Sequence, residues 1–538
     1  MEKRFSQLQP LIQELFELSD SPGLSVGVLH QGTPLMTTHF GRLRASQSTP
    51  PNDDTLYTVA SITKLMTAGV ISNLVDQGLL DWDTPIREYL PEFGERKDII
   101  GQEATVTDFL ANRSGISAQN TFWGTMNEDI LTNRETLPKL ACHIPAIGEF
   151  RNSFIYSTWG YGLVTCAIER VSGKLFSACV DEYIFQPLGM HRSTTNVPQV
   201  DNVAFKHWVG NDGVAHEFPW SLDRGWSDET GLSGAVAARS SIKELLVMYQ
   251  SLLNAYDHQT RNNVDNTPGS PFRYTRRLLY PHIGVGTASP EKQGYCLGTY
   301  RMQLPGDIST ASYNSILLQQ KNNRVIGKSH TGRIIFHQIA TFTGYNGSML
   351  LDPLSHTAIV VLVNSLPSFD ITDILGQLLL GTILGEEDPT NFLSLARSVK
   401  DVNKSVYSAY AASLAKKKSK VALTFPLTYY EGEYWNEDRI ICYHVHVLGE
   451  DQIRINVKGS TLTNYILHSW GGDLFVLVPD REKELSQSMW PFTSLKTRMF
   501  RFNCGPAGVL SFTWHHDLTP GSTPETFAKD NLDVTAKL

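Results

Sequence analysis

A serine and a lysine three positions apart, Ser61 and Lys64, are the residues of this chain best placed to do chemistry. The segment 54–60 (DTLYTVA) reads as an extended approach. From Ile62 to Asp76, apolar residues recur at helical spacing at Leu65, Met66, Val70, Leu74 and Val75. Ser61 therefore stands at a predicted helix start, where backbone N–H groups and the positive dipole end favour an oxyanion. A lysine three residues on projects from the same face one turn later, so its amine can reach the serine hydroxyl. That is the arrangement of an activated serine nucleophile.

The bare S-x-x-K pattern does not select one site, because it also occurs at Ser240, Ser289 and Ser413. Ser289 precedes Pro290 in a polar loop, and Ser413 precedes the basic run Lys416-Lys417-Lys418. Ser240 lies beside an ordinary helix start with Ser241 as its N-cap. Two further segments carry chemistry that could complete the Ser61 site. In Phe154-Ile155-Tyr156-Ser157-Thr158-Trp159-Gly160, the tyrosine precedes a helix expected from about Gly160. A phenol beside a lysine can accept or relay the serine proton. The run Ile334-Ile335-Phe336-His337-Gln338-Ile339-Ala340 reads as a strand whose edge could supply a second oxyanion N–H. A packed loop tyrosine and a plain sheet strand are the competing readings of these two segments.

These residues need a framework. The chain has 538 residues, enough for a large core and more than one domain. After an amphipathic N-terminal helix, Leu24–Leu29 and the turn 30–34 form a predicted β-hairpin. Helices fill much of 62–255. Strands are expected near Arg333–Phe336 and Thr357–Val363, separated by the turn-rich Thr343–Gly347. Residues 256–275 read as a surface excursion. The resulting class is α+β. Residues 1–385 form the first expected domain, 386–425 a helical, basic linker, and 426–538 a small antiparallel β-domain, barrel-like in its recurring short strands.

Net charge of −8 and the lack of a basic stripe argue against nucleic acid as a partner. No apolar run approaches the roughly 18 residues of a membrane span. The N-terminus lacks a signal-peptide pattern, and six scattered cysteines without C-x-x-C suit a reducing compartment, so a cytoplasmic location is expected. His444 and His446 share one strand face but show no third ligand at suitable spacing, and His515-His516 point to opposite faces. No metal and no organic cofactor is expected.

Taken together, the segments resemble the serine β-lactamase and penicillin-binding-protein superfamily, in its class C β-lactamase, esterase and D-aminopeptidase branch. The likeness rests on Pro22–Val28, Val59–Lys64, Leu79–Ile86, Thr107–Gly115, Pro187–Met190, Gly231–Gly234 and Asn364-Ser365, in that order. It implies an antiparallel sheet flanked by helices, of transpeptidase type. It further implies Ser61 as nucleophile, Lys64 as base or electrostatic partner and Tyr156 as proton relay, with the backbone N–H groups of Ser61 and Ala340 as oxyanion hole. His337 takes the place of the lysine in Lys-Thr-Gly. Thr158 replaces the asparagine of Tyr-x-Asn, and Ile339 replaces the usual glycine. Trp123 and Trp226, with Trp159, Trp208 and Trp220, fall in loops that wall the pocket in this family.

The two replacements remove an amide donor and add a branched side chain. They weaken the case for β-lactams or D-residue peptides and favour a small-molecule ester or thioester with an apolar acyl group. Esterase-like relatives, fungal ones among them, carry an appended β-domain, and the fold also supports acyl transfer, which suggests secondary metabolism. A D-amino-acid-type peptidase and an inactive binding protein of the same fold are the alternatives.

Overall fold

A computed structural model describes residues 1–119, 126–219, 227–319, 324–386, 390–490 and 494–530. The chain divides into two compact units. The first comprises Met1–Ile116, Asn133–Cys142 and Gly148–Asn403, and the second Ser117–Thr132, His143–Ile147 and Lys404–Leu538. Segments 117–132 and 143–147 thus cluster with the C-terminal unit although they come from within the first 385 residues.

The first unit is built on an eight-stranded sheet in the order β2-β1-β8-β7-β6-β5-β4-β3. Its strands are β1 (Gly23–His30), β2 (Thr33–Gly41), β3 (Ile283–Gly284), β4 (Gln293–Tyr295), β5 (Tyr300–Gln303), β6 (Ile334–Phe342), β7 (Tyr345–Asp352) and β8 (Thr357–Val363). The pairings are antiparallel, and β1 beside β8 brings the two ends of the unit together. β8 (TAIVVLV) is buried at every residue, as a strand covered on both faces must be. Among its helices are α1 (Glu2–Ser19), α2 (Thr63–Asp76), α3 (Thr158–Ser172), α4 (Ser233–Val236), α5 (Ile242–Asn262) and α6 (Ile371–Leu384). α5 packs on β1 and β8, while α6 packs on β7 and β8.

Two expectations change. β7 lies between the strands expected at 333–336 and 357–363, where only a turn was read; the turn shrinks to Thr343-Gly344. α5 runs to Asn262 before a left-handed Asn263 ends it, so the expected excursion starts later than Tyr256. The helical periodicity of Leu252, Leu253, Ala255 and Gln259, all buried, outweighs the polar residues between them.

Helix α7 (Thr390–Ala415) carries the chain into the second unit. There the closed barrel comprises β9 (Gly432–Trp435), β10 (Cys442–Val447), β11 (Gln452–Val457), β12 (Asn464–Gly471), β13 (Leu474–Val476), β14 (Met499–Gly505), β15 (Gly508–Trp514) and β16 (Glu525–Lys529). Its interior is aromatic: Tyr434, Tyr443, Phe475, Phe500, Phe512 and Phe527 are all fully enclosed. A buried ion pair, Arg498 to Glu484 at 2.6 and 2.9 Å, also takes the Tyr407 hydroxyl at 2.7 Å.

Candidate active site

Ser61 sits in a single 3₁₀ turn, Ala60–Ile62, that opens directly into α2. The approach is extended, as expected: Tyr57 and Thr58 pair with Arg239 and Ser240. The Val59 N–H donates to the Ala238 carbonyl at 2.9 Å. Between this strand and the turn, Ala60 is held at φ +41°. A left-handed backbone costs an L-residue about 1–2 kcal/mol, so the surrounding contacts impose the sharp entry that presents Ser61. Ser61 itself is 9% exposed.

Lys64 is completely buried. Its Nζ donates to Ser61 Oγ at 3.1 Å and to the Ala235 carbonyl at 2.9 Å. It also lies 4.9 Å from the Tyr156 ring centre and 5.2 Å from that of Tyr161. A buried amine is tolerated only with such partners. α4 supplies the carbonyl, and Gly234 allows it: a Cβ there would fall 2.3 Å from Thr165 Oγ1 of α3. On the opposite side, Gly298 (φ +102°) passes so close that a Cβ would lie 2.8 Å from the Lys64 carbonyl group. Glycine is therefore required on both flanks of this lysine.

Tyr156 comes from the segment before α3, which starts at Thr158, slightly earlier than expected. Its hydroxyl donates to Ser61 Oγ at 2.8 Å. The segment is pinned from Asn112, whose side chain accepts the Ser157 N–H at 2.9 Å and whose carbonyl accepts the Ile155 N–H at 2.9 Å. Beside Asn112 in sequence, Arg113 pairs with the buried Asp108, which also joins Arg151. Burial would raise the Asp108 carboxyl, but hydrogen bonds from Arg151, Thr105 and Arg113 overcome it and hold the group below the ordinary carboxylate range.

The second contact on Tyr156 comes from Gln338, a residue without a role in the sequence reading. Gln338 Nε2 donates to the Tyr156 hydroxyl at 3.1 Å. His337, expected at the substrate wall, is 1% exposed and lies flat on Tyr300, with ring centres 5.3 Å apart. Neither of its ring nitrogens has a partner among the described residues. Burial drives its imidazole down to about 4, so at neutral pH it is uncharged. Tyr300 stacks on Tyr156 in turn, at 6.4 Å and nearly parallel. Burial, with the neighbouring Tyr156 next, pushes the Tyr300 phenol well up; Tyr295 is raised likewise, by burial first.

β6, the strand that carries Ala340, runs past the Ser61 turn. Ile339 is 9% exposed, and Thr158 is 4% exposed at the first position of α3. β5 pairs with β6 only from Ile334 to His337, so among the described residues Gln338–Phe342 keep one strand edge without a partner strand. Trp159 is fully buried and Trp208 stacks on His216 at 4.4 Å, while Trp123, Trp220 and Trp226 lie outside the described residues.

Comparison with known proteins identifies the family. The family description Beta-lactamase matches residues 8–381. The chain belongs to the beta-lactamase family. Its relatives within and around that family are distant. Unguisins hydrolase ungD of Aspergillus violaceofuscus is 25% identical over 45% of this chain and 44% of its own. The D-alanyl-D-alanine-carboxypeptidase/endopeptidase AmpH of Escherichia coli is 25% identical over 35% of this chain and 48% of its own. Esterase/beta-lactamase LipL of Mycobacterium tuberculosis is 29% identical over 31% and 38%. The chain thus spans about half the length, or less, of these curated relatives.

Among solved structures, the octameric penicillin-binding protein homologue from Pyrococcus abyssi aligns over 97% of this chain and 99% of its own. Its TM-score is 0.56 at 19% identity. A class C beta lactamase from Rhodobacter sphaeroides covers 71% of this chain and 100% of its own, with TM-score 0.53 at 16% identity. At such identities the likeness is one of fold.

Outside this site, β9 and β10 bring Glu433 and Cys442 beside His444, ligand types that the spacing of the histidines did not reveal. Their potential ligand atoms lie within 4.8 Å of one another. The Lys458 amine, however, already bonds both Glu433 oxygens at 2.9 and 2.8 Å, so this carboxylate is paired with a cation. Among the described residues no helix is long and apolar enough to cross a membrane.

Proposed function

We propose that this chain is a serine hydrolase or acyltransferase that forms an acyl-enzyme on Ser61, with an ester, thioester or amide of a small organic molecule as substrate. The observation that carries the reading is the convergence of two proton-handling groups on one oxygen: Lys64 Nζ at 3.1 Å and Tyr156 OH at 2.8 Å from Ser61 Oγ. Ser61 would attack the carbonyl, Lys64 and Tyr156 would move the protons, and the Ser61 and Ala340 N–H groups would hold the oxyanion. Hydrolase, esterase and carboxypeptidase names among the relatives fit the same acyl chemistry.

The wall of the site narrows the substrate. Where β-lactamase-like sites carry a lysine on the strand beside the serine, this chain has a histidine kept neutral by burial and a neutral glutamine. Thr158 offers no amide to an acyl-amide group, and Ile339 crowds the strand edge. These features favour a neutral ester or thioester over a substrate with a carboxylate beside its scissile bond.

The test is intact-mass spectrometry after incubation with p-nitrophenyl esters, acyl thioesters and a penicillin, alongside Ser61→Ala. An adduct from esters or thioesters that the variant lacks supports the reading, and added alcohols or amines then separate transfer from hydrolysis. An adduct from penicillin alone points to the peptidase-type alternative. No adduct in the wild type removes the serine reading.

A further inference from the structure

Gln338 is buried, 1% exposed, and its amide nitrogen has two acceptors: the Tyr156 hydroxyl at 3.1 Å and the carbonyl of the next residue, Ile339, at 3.1 Å. Its amide oxygen has no partner among the described residues. A backbone carbonyl can only accept, so the NH₂ end must face Ile339, and turning the amide over would set oxygen against oxygen. The orphaned amide oxygen is the consequence of that constraint. Gln338 must therefore donate to Tyr156. A phenol oxygen that receives a hydrogen bond on that side has its own proton free to point at Ser61 Oγ, 2.8 Å away.

Among the described residues, rings rather than charged side chains stack around the phenol: Phe154, Tyr295 and Tyr300, with the neutral His337 behind Tyr300. A neutral amide supports a phenolate less than an ammonium does. The bonds thus converge on Ser61 Oγ, from the Gln338 amide through the Tyr156 hydroxyl on one side and from Lys64, itself bonded to the Ala235 carbonyl, on the other.

We propose that Gln338 is a positioning residue that holds Tyr156 as a proton donor, so that Tyr156 serves the leaving group while Lys64 takes the proton of Ser61. The proposal rests on the acyl-enzyme reading above. In the step it describes, the serine oxygen bonds the carbonyl carbon as the Lys64 amine, its hydrogen bond to Ser61 turned from donor to acceptor, takes the serine proton. When the carbon–leaving-group bond breaks, the Tyr156 proton goes to the departing heteroatom. The proton on Lys64 then passes to Tyr156, which restores both groups.

The assignment has a signature that a purely structural role lacks. A p-nitrophenolate departs without a proton, whereas an alkoxide needs one. In the full-length chain, Gln338→Met should slow acylation by an alkyl ester about 10–100-fold, less than the roughly 10²–10⁴-fold of losing a general acid outright because the acid is displaced and not removed, and acylation by the matching p-nitrophenyl ester much less. In a Tyr156→Phe background the same substitution should add less than about 2-fold, because the donor it positions is already gone. Gln338→Asn keeps a buried amide one methylene short of Tyr156 and should show the same selectivity; it replaces the Met variant should that one fail to fold by thermal unfolding.

Equal losses with both leaving groups, no loss with either, or full additivity with Tyr156→Phe would each overturn the proposal. The serine reading would survive any of these, since wild-type adduct formation is scored separately by its dependence on Ser61. A wild type without any Ser61 adduct overturns both.

Discussion

The Lys64 amine lies 2.9 Å from the carbonyl oxygen of Ala235, a residue 171 positions further along the chain. That bond sets the lysine against Ser61, and it depends on α4 approaching α2 and α3 without a side chain at Gly234. A Cβ at this position would meet Thr165 Oγ1 at 2.3 Å and Thr67 Oγ1 at 3.2 Å. Gly234→Ala should push α4 outward, destabilise the first unit by about 1–3 kcal/mol and lower Ser61 acylation at least about 10-fold. Denaturant unfolding and the rate of adduct formation measure the two effects. Unchanged acylation in a destabilised variant would mean that the Ala235 carbonyl does not set the lysine.

Lys64→Met keeps nearly the same volume and removes the amine. The expected outcome is a folded protein whose acylation rate drops by about 10²–10⁴, the range for loss of a positioned acid–base group. Mass spectrometry on the time course of ester labelling reads the rate. A near-normal rate in this variant would leave Tyr156 as the group that takes the serine proton.

His337 makes stability depend on pH. Burial lowers its imidazole from 6.5 to about 4. Between those values the unfolded chain takes up a proton that the folded chain refuses. Stability therefore falls as pH drops from about 6.5 to 4, by up to roughly 3 kcal/mol for this group. Asp373 works in the opposite sense: burial, then the charge of Asp370, raise its carboxyl, so the folded form keeps a proton on acidification. The effect of His337 is thus read as a difference. His337→Phe, which keeps a ring against Tyr300, should lose less stability than the wild type between pH 7 and pH 5 in urea titrations. Parallel losses in the two proteins would place the proton elsewhere.

In the second unit, Arg498 and Glu484 are 1% and 4% exposed at their side chains. Glu484→Ala leaves the guanidinium buried without its carboxylate and should cost about 3–5 kcal/mol. The loss should appear as faster hydrogen exchange of the barrel amides, which reports this unit separately. A cost under about 1 kcal/mol would mean that water reaches the guanidinium.

Much of the fold was legible because it is written in local periodicity. The hairpin of β1 and β2, helix α2 and the all-apolar β8 follow from the spacing of Leu24, Val26 and Val28, from Leu65 to Val75, and from the run at Thr357–Val363. β7 was missed because Tyr345-Asn346-Gly347-Ser348 looks like turn material; pairing with β6 and β8 on both sides makes it a strand. In the barrel, ring closure supplies the pairing for β9, β12 and β16, where a strand needs partners on both sides to be defined.

The candidate site divides along the same line. Ser61 and Lys64 could be placed together from the sequence because three residues at a helix start share a face whatever surrounds them. The meeting of Ser61 with Tyr156 was open to the sequence only through resemblance, since 95 positions separate them. Gln338 had no signal at all: its role comes from one hydroxyl 182 positions away and from the carbonyl next to it. His337 was expected to face substrate, and its burial against Tyr300 depends on strand register between β5 and β6. The sequence by itself thus determined that Ser61 and Lys64 stand together on one face, through helix geometry that needs no partner. Which groups donate to them, and from which side, only the tertiary structure decided, because hydrogen-bond direction depends on acceptors brought together through space.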